Sequence, residues 1–136
     1  MSEQKLDIVD RAEKVIKGLK TDKEGNIGLN TNQLRKVLSA VVSVKNKVEL
    51  ELLRNNNKKG VISPDLALEI KFLKTNILYQ IGRDESKEGY FKDFVDKSNI
   101  VLAIEFIAND YMKFQAFCKY MEALVAFHKY YSAIKK

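Results

Sequence analysis

The sequence predicts an all-α fold, a compact bundle of about five helices in a single domain spanning residues 1–136. One proline and six glycines in 136 residues leave few positions that interrupt a helix. Hydrophobic residues make up 46% of the chain, which is enough for the core of one domain. Apolar residues recur at steps of three and four along most of the chain, as is typical of amphipathic helices.

The first two helices are predicted at about residues 3–19 and from Asn30 or Thr31 to Leu53 or Arg54. Gly18 and the polar stretch TDKEGNIG end the first helix. Asn30 followed by Gln33 resembles a capping box at the start of the second. The predicted apolar face of the first helix is Leu6, Val9, Ile16 and Leu19, flanked by Ile8, Ala12 and Val15, and that of the second is Leu34, Val37, Leu38, Val41, Val44, Val48 and Leu52.

The third helix is predicted to begin at Ser63-Pro64-Asp65, which places serine at the N-cap, proline at the first helical position and an acid in the first turn. It is expected to reach Gln80 or Ile81, with Gly82 as the stop. Its predicted apolar stripe is Leu66, Ile70, Leu73, Ile77 and Ile81, broadened by Phe72 and Leu78.

A fourth helix is predicted at about residues 90–108, with a kink or interruption at Ser98-Asn99. The apolar segment 100–107 also has the composition of a strand, but no second strand is available to pair with it, so helix is preferred. A long last helix is predicted over residues 109–134, with Asn109 as N-cap and Asp110 in the first turn. Its apolar face is Phe114, Phe117, Cys118, Met121, Leu124, Val125, His128 and Tyr131.

The net charge of +6 is unevenly distributed. Residues 29–60 carry seven basic and two acidic groups, and residues 109–136 carry five and two, whereas residues 61–108 carry six and eight. A basic concentration of this kind suggests a polyanion partner, although a solvated lysine-rich surface would have the same composition. Arg35 and Lys36 lie near the predicted start of the second helix, where the helix dipole disfavours cations and an anionic ligand would offset that cost.

Catalytic and metal-binding patterns are not found in the sequence. His128 and Cys118 are the only histidine and cysteine, too few for a zinc site, and both fall on the apolar face of the last helix as predicted core residues. No phosphate-binding glycine loop, paired acid and base, or activated nucleophile is apparent, so we expect neither an enzyme nor a cofactor. The charged N-terminus and the lack of a long apolar run predict a cytoplasmic protein without a signal peptide or membrane span.

Three stretches together resemble one family. The segments LNTNQLRKVLSAV (29–41), LEIKFLKTNILYQIGR (68–83) and FCKYMEALVAFHKYY (117–131) are similar to the small subunit of type III-A CRISPR effector complexes, the Csm-type small subunit. The segment FKDFVDK (91–97) fits the same pattern. The resemblance covers most of residues 29–132, whereas residues 1–28 match only as a leading helix.

The resemblance implies a non-catalytic helical subunit in antiviral defence. Several copies would stack along the paired guide RNA and target RNA, next to the repeated backbone subunit and the large polymerase-like subunit. They would contact the RNA backbone without sequence preference, since guide pairing supplies specificity. The candidate RNA-binding residues, most of them inside the family-like segments, are Arg35, Lys36, Lys71, Lys74, Arg83, Lys92 and Lys129.

Other interpretations of the same residues stay open. Arg83 would also serve as a helix cap or ion-pair partner, and Lys129 as an exposed lysine favoured by the helix dipole. Tyr79, Tyr130 and Tyr131 have rings that could stack on bases, but packing in the core or between subunits is the preferred interpretation. Two alternative functions are a nucleic-acid-binding protein that acts alone and a helical adaptor that binds only protein.

Overall fold

A computed structural model of the protein describes residues 7–55, 60–84 and 87–134. In these ranges the fold is all-α, as predicted, with six helices where about five were expected. The helices are α1 (Ile8–Lys17), α2 (Thr31–Asn55), α3 (Pro64–Arg83), α4 (Tyr90–Ser98), α5 (Ile100–Ile107) and α6 (Tyr111–Ala133). None of the helices in these ranges has the length and apolar content needed to cross a membrane.

The long helix α6 lies at the centre of the bundle. It packs against α1, α2 and α5. Helix α3 packs against α2, α4 and α5. Most of the predicted apolar face of α6 between Phe114 and His128 is buried, while Val125 and Tyr131 are partly buried. Tyr120, which was not predicted to lie in the core, is also buried and donates a hydrogen bond of 2.9 Å to the backbone carbonyl of Ser98. This bond ties α6 to the end of α4.

Polar side chains begin the helices much as the sequence predicts. The Ser63 hydroxyl accepts from the backbone N–H of Leu66, and the Asn30 side chain accepts from that of Gln33 at 3.0 Å. The predicted N-cap of α6 was wrong by one residue. Asp110, not Asn109, caps this helix, and its carboxylate accepts from the N–H groups of Met112 and Lys113. A carboxylate is favoured there because it satisfies free donors and interacts with the helix dipole.

Two other predicted boundaries need correction. The predicted first helix starts at residue 3, but residues 1–6 lie outside the described ranges and α1 begins at Ile8. Gly82 does not stop α3, which continues to Arg83 and ends where the N–H of Asp84 bonds to the carbonyl of Ile81. Glycine in the last turn costs little because few backbone bonds follow it.

The suspected interruption at residues 98–99 is a complete break. Asn99 has a left-handed backbone with φ of 63°, so the chain turns between α4 and α5. Asparagine tolerates this conformation better than most residues. Residues 100–107 form a helix and not a strand, as preferred from the sequence.

Several residues assigned to the core are exposed. Phe72 and Leu78, predicted to broaden the buried stripe of α3, are 66% and 49% exposed, and Val9 of α1 is 56% exposed. The buried stripes are narrower than predicted, with Ile70, Leu73 and Ile77 facing the core from α3. Phe72 lies about 100° around the helix from Leu73, which places it outside the packed face.

The two residues interpreted as core packing, His128 and Cys118, are both buried. The Nε2–H of His128 donates to the backbone carbonyl of Leu29 at 2.8 Å and so fixes the loop before α2 against α6. This bond satisfies a carbonyl of a buried residue that water does not reach easily. Burial raises the pKa of the Cys118 thiol to about 12, with the nearby Lys45 opposing the shift.

We expect the Cys118 thiol to be nearly inert in the folded protein. Because its pKa of about 12 lies far above pH 8, very little reactive thiolate is present at that pH, and the thiol is also buried. Ellman's reagent should therefore react slowly with the native protein at pH 8 and rapidly in denaturant. Fast labelling of the native protein would show that this part of the core opens readily.

We expect Ala108→Gly to stabilise the protein by about 1 kcal/mol. Ala108 is exposed and has φ of 51° and ψ of −113°, a conformation that a Cβ disfavours and glycine adopts freely. The matched control is Ala126→Gly, an exposed position inside α6, where the same change should destabilise by about 1 kcal/mol. Chemical denaturation measures both, and a loss of stability in the first variant would contradict the assignment of strain to Ala108.

Candidate nucleic-acid interface

The antiparallel helices α2 and α3 enclose a surface groove, here called the α2–α3 groove. Two contacts show that the helices run antiparallel. Glu51 accepts from the N–H of Ser63, and one turn earlier on α2, Lys47 pairs with Glu69, which lies later on α3. The groove has two adjoining sections of about 590 Å³ each, which share Asn76.

Among the residues that the structure describes, the polar section of the groove contains two cations and no acid. Its lining is Asn32, Arg35, Lys36, Ser39, Asn76 and Gln80. None of these six residues is acidic, and neither Arg35 nor Lys36 forms an ion pair with a described residue. Both are exposed. Their charges are therefore available to an anion from solution.

The second section of the groove carries two exposed aromatic rings. Phe72 and Tyr79 line it and are 66% and 63% exposed. The guanidinium of Arg83 lies 5.8 Å from the centroid of the Tyr79 ring, which places a third cation at this end of α3. Lys47 also lines this section, but its charge is offset by Glu69, whose Oε1 lies 3.0 Å from the Nζ of Lys47.

Two of the predicted RNA-binding residues form ion pairs within the protein. Lys74 pairs with Glu105 of α5 at 2.7 Å, and Lys92 pairs with Asp96 one turn further along α4 at 2.8 Å. Such exposed pairs contribute little to stability, but each carboxylate cancels much of the field that its lysine presents. These two lysines are less available to a phosphate than Arg35 and Lys36.

The structure does not bring all seven predicted residues onto one surface. Arg35 and Lys36 share the polar section of the α2–α3 groove, and Arg83 reaches the groove through Tyr79. Lys92 lines a different depression, between α3, α4 and α5, together with Glu105, the partner of Lys74. Lys71 and Lys129 are exposed on α3 and α6, outside the lining of the groove.

Sequence reasoning missed the uncharged residues of the groove and misassigned Phe72 to the core. A signal was present, since Phe72, Asn76, Tyr79 and Arg83 follow one another at steps of four, three and four and so form one row on α3. The buried residues Leu73 and Ile77 form a separate row. Reading the two rows separately would have placed Phe72 and Tyr79 on an outer face.

The described residues offer no cluster of metal ligands. Within these ranges, no group of three or more histidine, cysteine, aspartate or glutamate side chains is placed to hold a metal ion. His128 and Cys118 lie in the core, facing no cavity of the groove. The groove itself suits binding, because its cations, amides and rings recognise phosphates and planar groups.

Comparison with known proteins supports the family resemblance. The family model described as Csm2 Type III-A matches residues 2–133. A protein named CRISPR system Cms protein Csm2 from Streptococcus thermophilus is 36% identical over 123 residues, which cover 90% of this chain and 89% of that protein. A protein of the same name from Mycobacterium tuberculosis (strain CDC 1551 / Oshkosh) is 32% identical over 91% of this chain and 90% of its own length. Another from Enterococcus italicus is 30% identical over 76% of this chain and 69% of its own length. The chain therefore belongs to the Csm2 Type III-A family, the small-subunit family that its sequence motifs predicted.

Proposed function

We propose that this protein is a non-catalytic small subunit of a type III-A CRISPR effector complex that binds the RNA backbone without sequence preference in antiviral defence. The observation that carries the proposal is the polar section of the α2–α3 groove, where Arg35 and Lys36 lie together and none of the described lining residues is acidic. Single exposed cations suit phosphate contacts, and phosphates carry no sequence information.

The proposed partners are guide RNA, target RNA and the other subunits of the complex. Several copies of the chain would associate along the paired RNAs in the cytoplasm, beside the repeated backbone subunit and the large polymerase-like subunit. A second surface supports protein contacts, because Leu102, Phe106 and Met112 are more than half exposed at α5 and the start of α6. Groups of exposed apolar side chains commonly mark protein interfaces.

One copy would bind RNA only modestly. If a copy touches about three or four phosphates, the logarithm of its affinity falls by roughly 0.7–0.9 per contact for each tenfold rise in salt. Copies aligned on one RNA strengthen one another's binding, because each later contact is made at high effective concentration. The isolated protein should therefore bind RNA weakly, in a manner sensitive to salt and indifferent to sequence.

We expect the double variant Arg35→Ala, Lys36→Ala to lower RNA affinity at least about tenfold at low salt and to flatten the salt dependence by roughly two contacts. Both side chains are exposed and have no ion-pair partner among the described residues, so the variant should unfold at nearly the same temperature as the native protein. Fluorescence anisotropy with labelled RNA and thermal denaturation measure the two quantities.

The matched controls remove the same charge elsewhere. Lys23→Ala with Lys119→Ala removes two exposed lysines outside the groove, and Lys74→Ala with Lys92→Ala removes two lysines that are already ion-paired. Each control should weaken RNA binding less than the groove variant does. Equal losses in all variants would show that binding follows net charge alone, and a large drop in melting temperature for the groove variant would assign Arg35 and Lys36 a structural role.

We expect the tagged protein, purified from its native host, to bring down larger protein subunits and short RNAs that share a common 5′ tag. Sequencing the RNA and identifying the proteins by mass spectrometry check this directly. Removing the two cations, Arg35 and Lys36, should lower the yield of target RNA more than that of the protein subunits. Recovery of the protein alone, or with RNA of mixed origin, would argue instead for a binder or adaptor that acts outside the complex.

A further inference from the structure

The two exposed rings of the α2–α3 groove are not part of the hydrophobic core. Phe72 and Tyr79 are each about two-thirds exposed, and neither ring stacks on another aromatic ring within the described ranges. Leaving a large apolar ring in water forgoes the free energy that burial would contribute. A ligand that covers both rings would recover it.

The spacing of the rings places them on one side of α3. They are separated by seven residues, which corresponds to two turns and about 10.5 Å along the helix axis. Asn76 lies between them in sequence and lines both sections of the groove. The rings and the cations Arg35 and Lys36 therefore belong to one continuous surface.

Cations next to the rings favour a ligand that is both planar and anionic. Arg83 lies 5.8 Å from the centroid of the Tyr79 ring, and Arg35 and Lys36 line the adjoining section. The same section contains the amides of Asn32, Asn76 and Gln80 and the hydroxyl of Ser39. Amides and hydroxyls bind base edges and ribose hydroxyls, while cations bind phosphates.

The groove fits single-stranded RNA better than it fits duplex RNA or a protein surface. Bases in a duplex are stacked on one another, so a side-chain ring cannot reach their faces, whereas unpaired bases stack readily on aromatic side chains. An apolar protein surface would cover the rings but leave Arg35, Lys36 and the amides desolvated without partners. Charge complementarity therefore favours nucleic acid over a protein.

We propose that unpaired RNA bases stack on Phe72 and Tyr79 in the α2–α3 groove while Arg35 and Lys36 hold phosphates of the same strand. The proposal rests on RNA being the partner. Arg35 and Lys36 contact the backbone of paired and unpaired RNA alike, and the two rings add base contacts only where a strand is unpaired. Because every base has an aromatic face, stacking of this kind leaves sequence preference low. It distinguishes unpaired from paired RNA.

The chain contains no tryptophan, so a single introduced tryptophan reports on one position. The variants Phe72→Trp and Tyr79→Trp are titrated at low salt with a single-stranded oligouridylate, an abasic ribose-phosphate oligomer of the same length and an RNA duplex. Oligouridylate should quench both reporters, since a stacked base quenches tryptophan, whereas the abasic oligomer and the duplex should not. The matched control is Tyr130→Trp, an exposed position on α6 outside the groove lining, which should not be quenched.

Alanine variants separate the bases from the phosphates. Phe72→Ala and Tyr79→Ala should each weaken oligouridylate binding at least about fivefold and leave affinity for the abasic oligomer unchanged. The double variant Arg35→Ala, Lys36→Ala should weaken both. Because both rings are exposed, the alanine variants should keep the native circular dichroism spectrum and melting temperature.

Three results would overturn the inference in distinguishable ways. If the ring variants bind oligouridylate like the native protein while the cation variant does not, RNA contact is confined to the backbone and only the stacking proposal fails. If the native protein binds no RNA at low salt, both proposals fail. If the ring variants instead abolish a concentration-dependent self-association seen by sedimentation, Phe72 and Tyr79 form an interface between proteins.

Discussion

Burial of one face of α6 is the constraint on which the rest of this structure depends. Its buried side chains, from Phe114 to His128, face α1, α2 and α5. Each of those three helices must therefore present an apolar stripe to α6. Tyr120 and His128 add directional bonds to the carbonyls of Ser98 and Leu29, which fix the end of α4 and the loop before α2. Hydrophobic burial supplies most of the free energy of folding around α6, whereas these two hydrogen bonds fix how the neighbouring segments are placed.

The arrangement around α6 determines which surface remains for a ligand. The buried stripe of α2 packs against the core and leaves Arg35, Lys36 and Ser39 along the groove that α2 forms with α3. Helix α3 buries a narrow row and turns Phe72 and Tyr79 outward beside those cations. The candidate interface thus combines one face of α2 with one face of α3.

Ion pairing separates lysines that look alike in composition. Lys74 and Lys92 lie within 3 Å of carboxylates, whereas Arg35 and Lys36 have no such neighbour among the residues that the structure describes. The pairs contribute little to folding, yet they lower the local positive potential. The net charge of +6 therefore does not by itself show which cations are available to RNA.

Most of the fold was determined by local sequence features. Helical periodicity, the Ser63-Pro64-Asp65 start and the Asn30 cap place the helices within a few residues, because these signals act over one or two turns. The same is true of the break near Asn99 and of burial for His128 and Cys118. Arg35 and Lys36 could also be predicted as candidate RNA-binding residues, from their position at the start of a helix within a basic segment.

The tertiary structure alone decided that Phe72 is exposed, that Lys74 and Lys92 are paired, and that the rings of α3 adjoin the cations of α2. Which side of a helix meets a neighbour depends on contacts between residues far apart in sequence, and no local pattern of residues encodes the width of that contact.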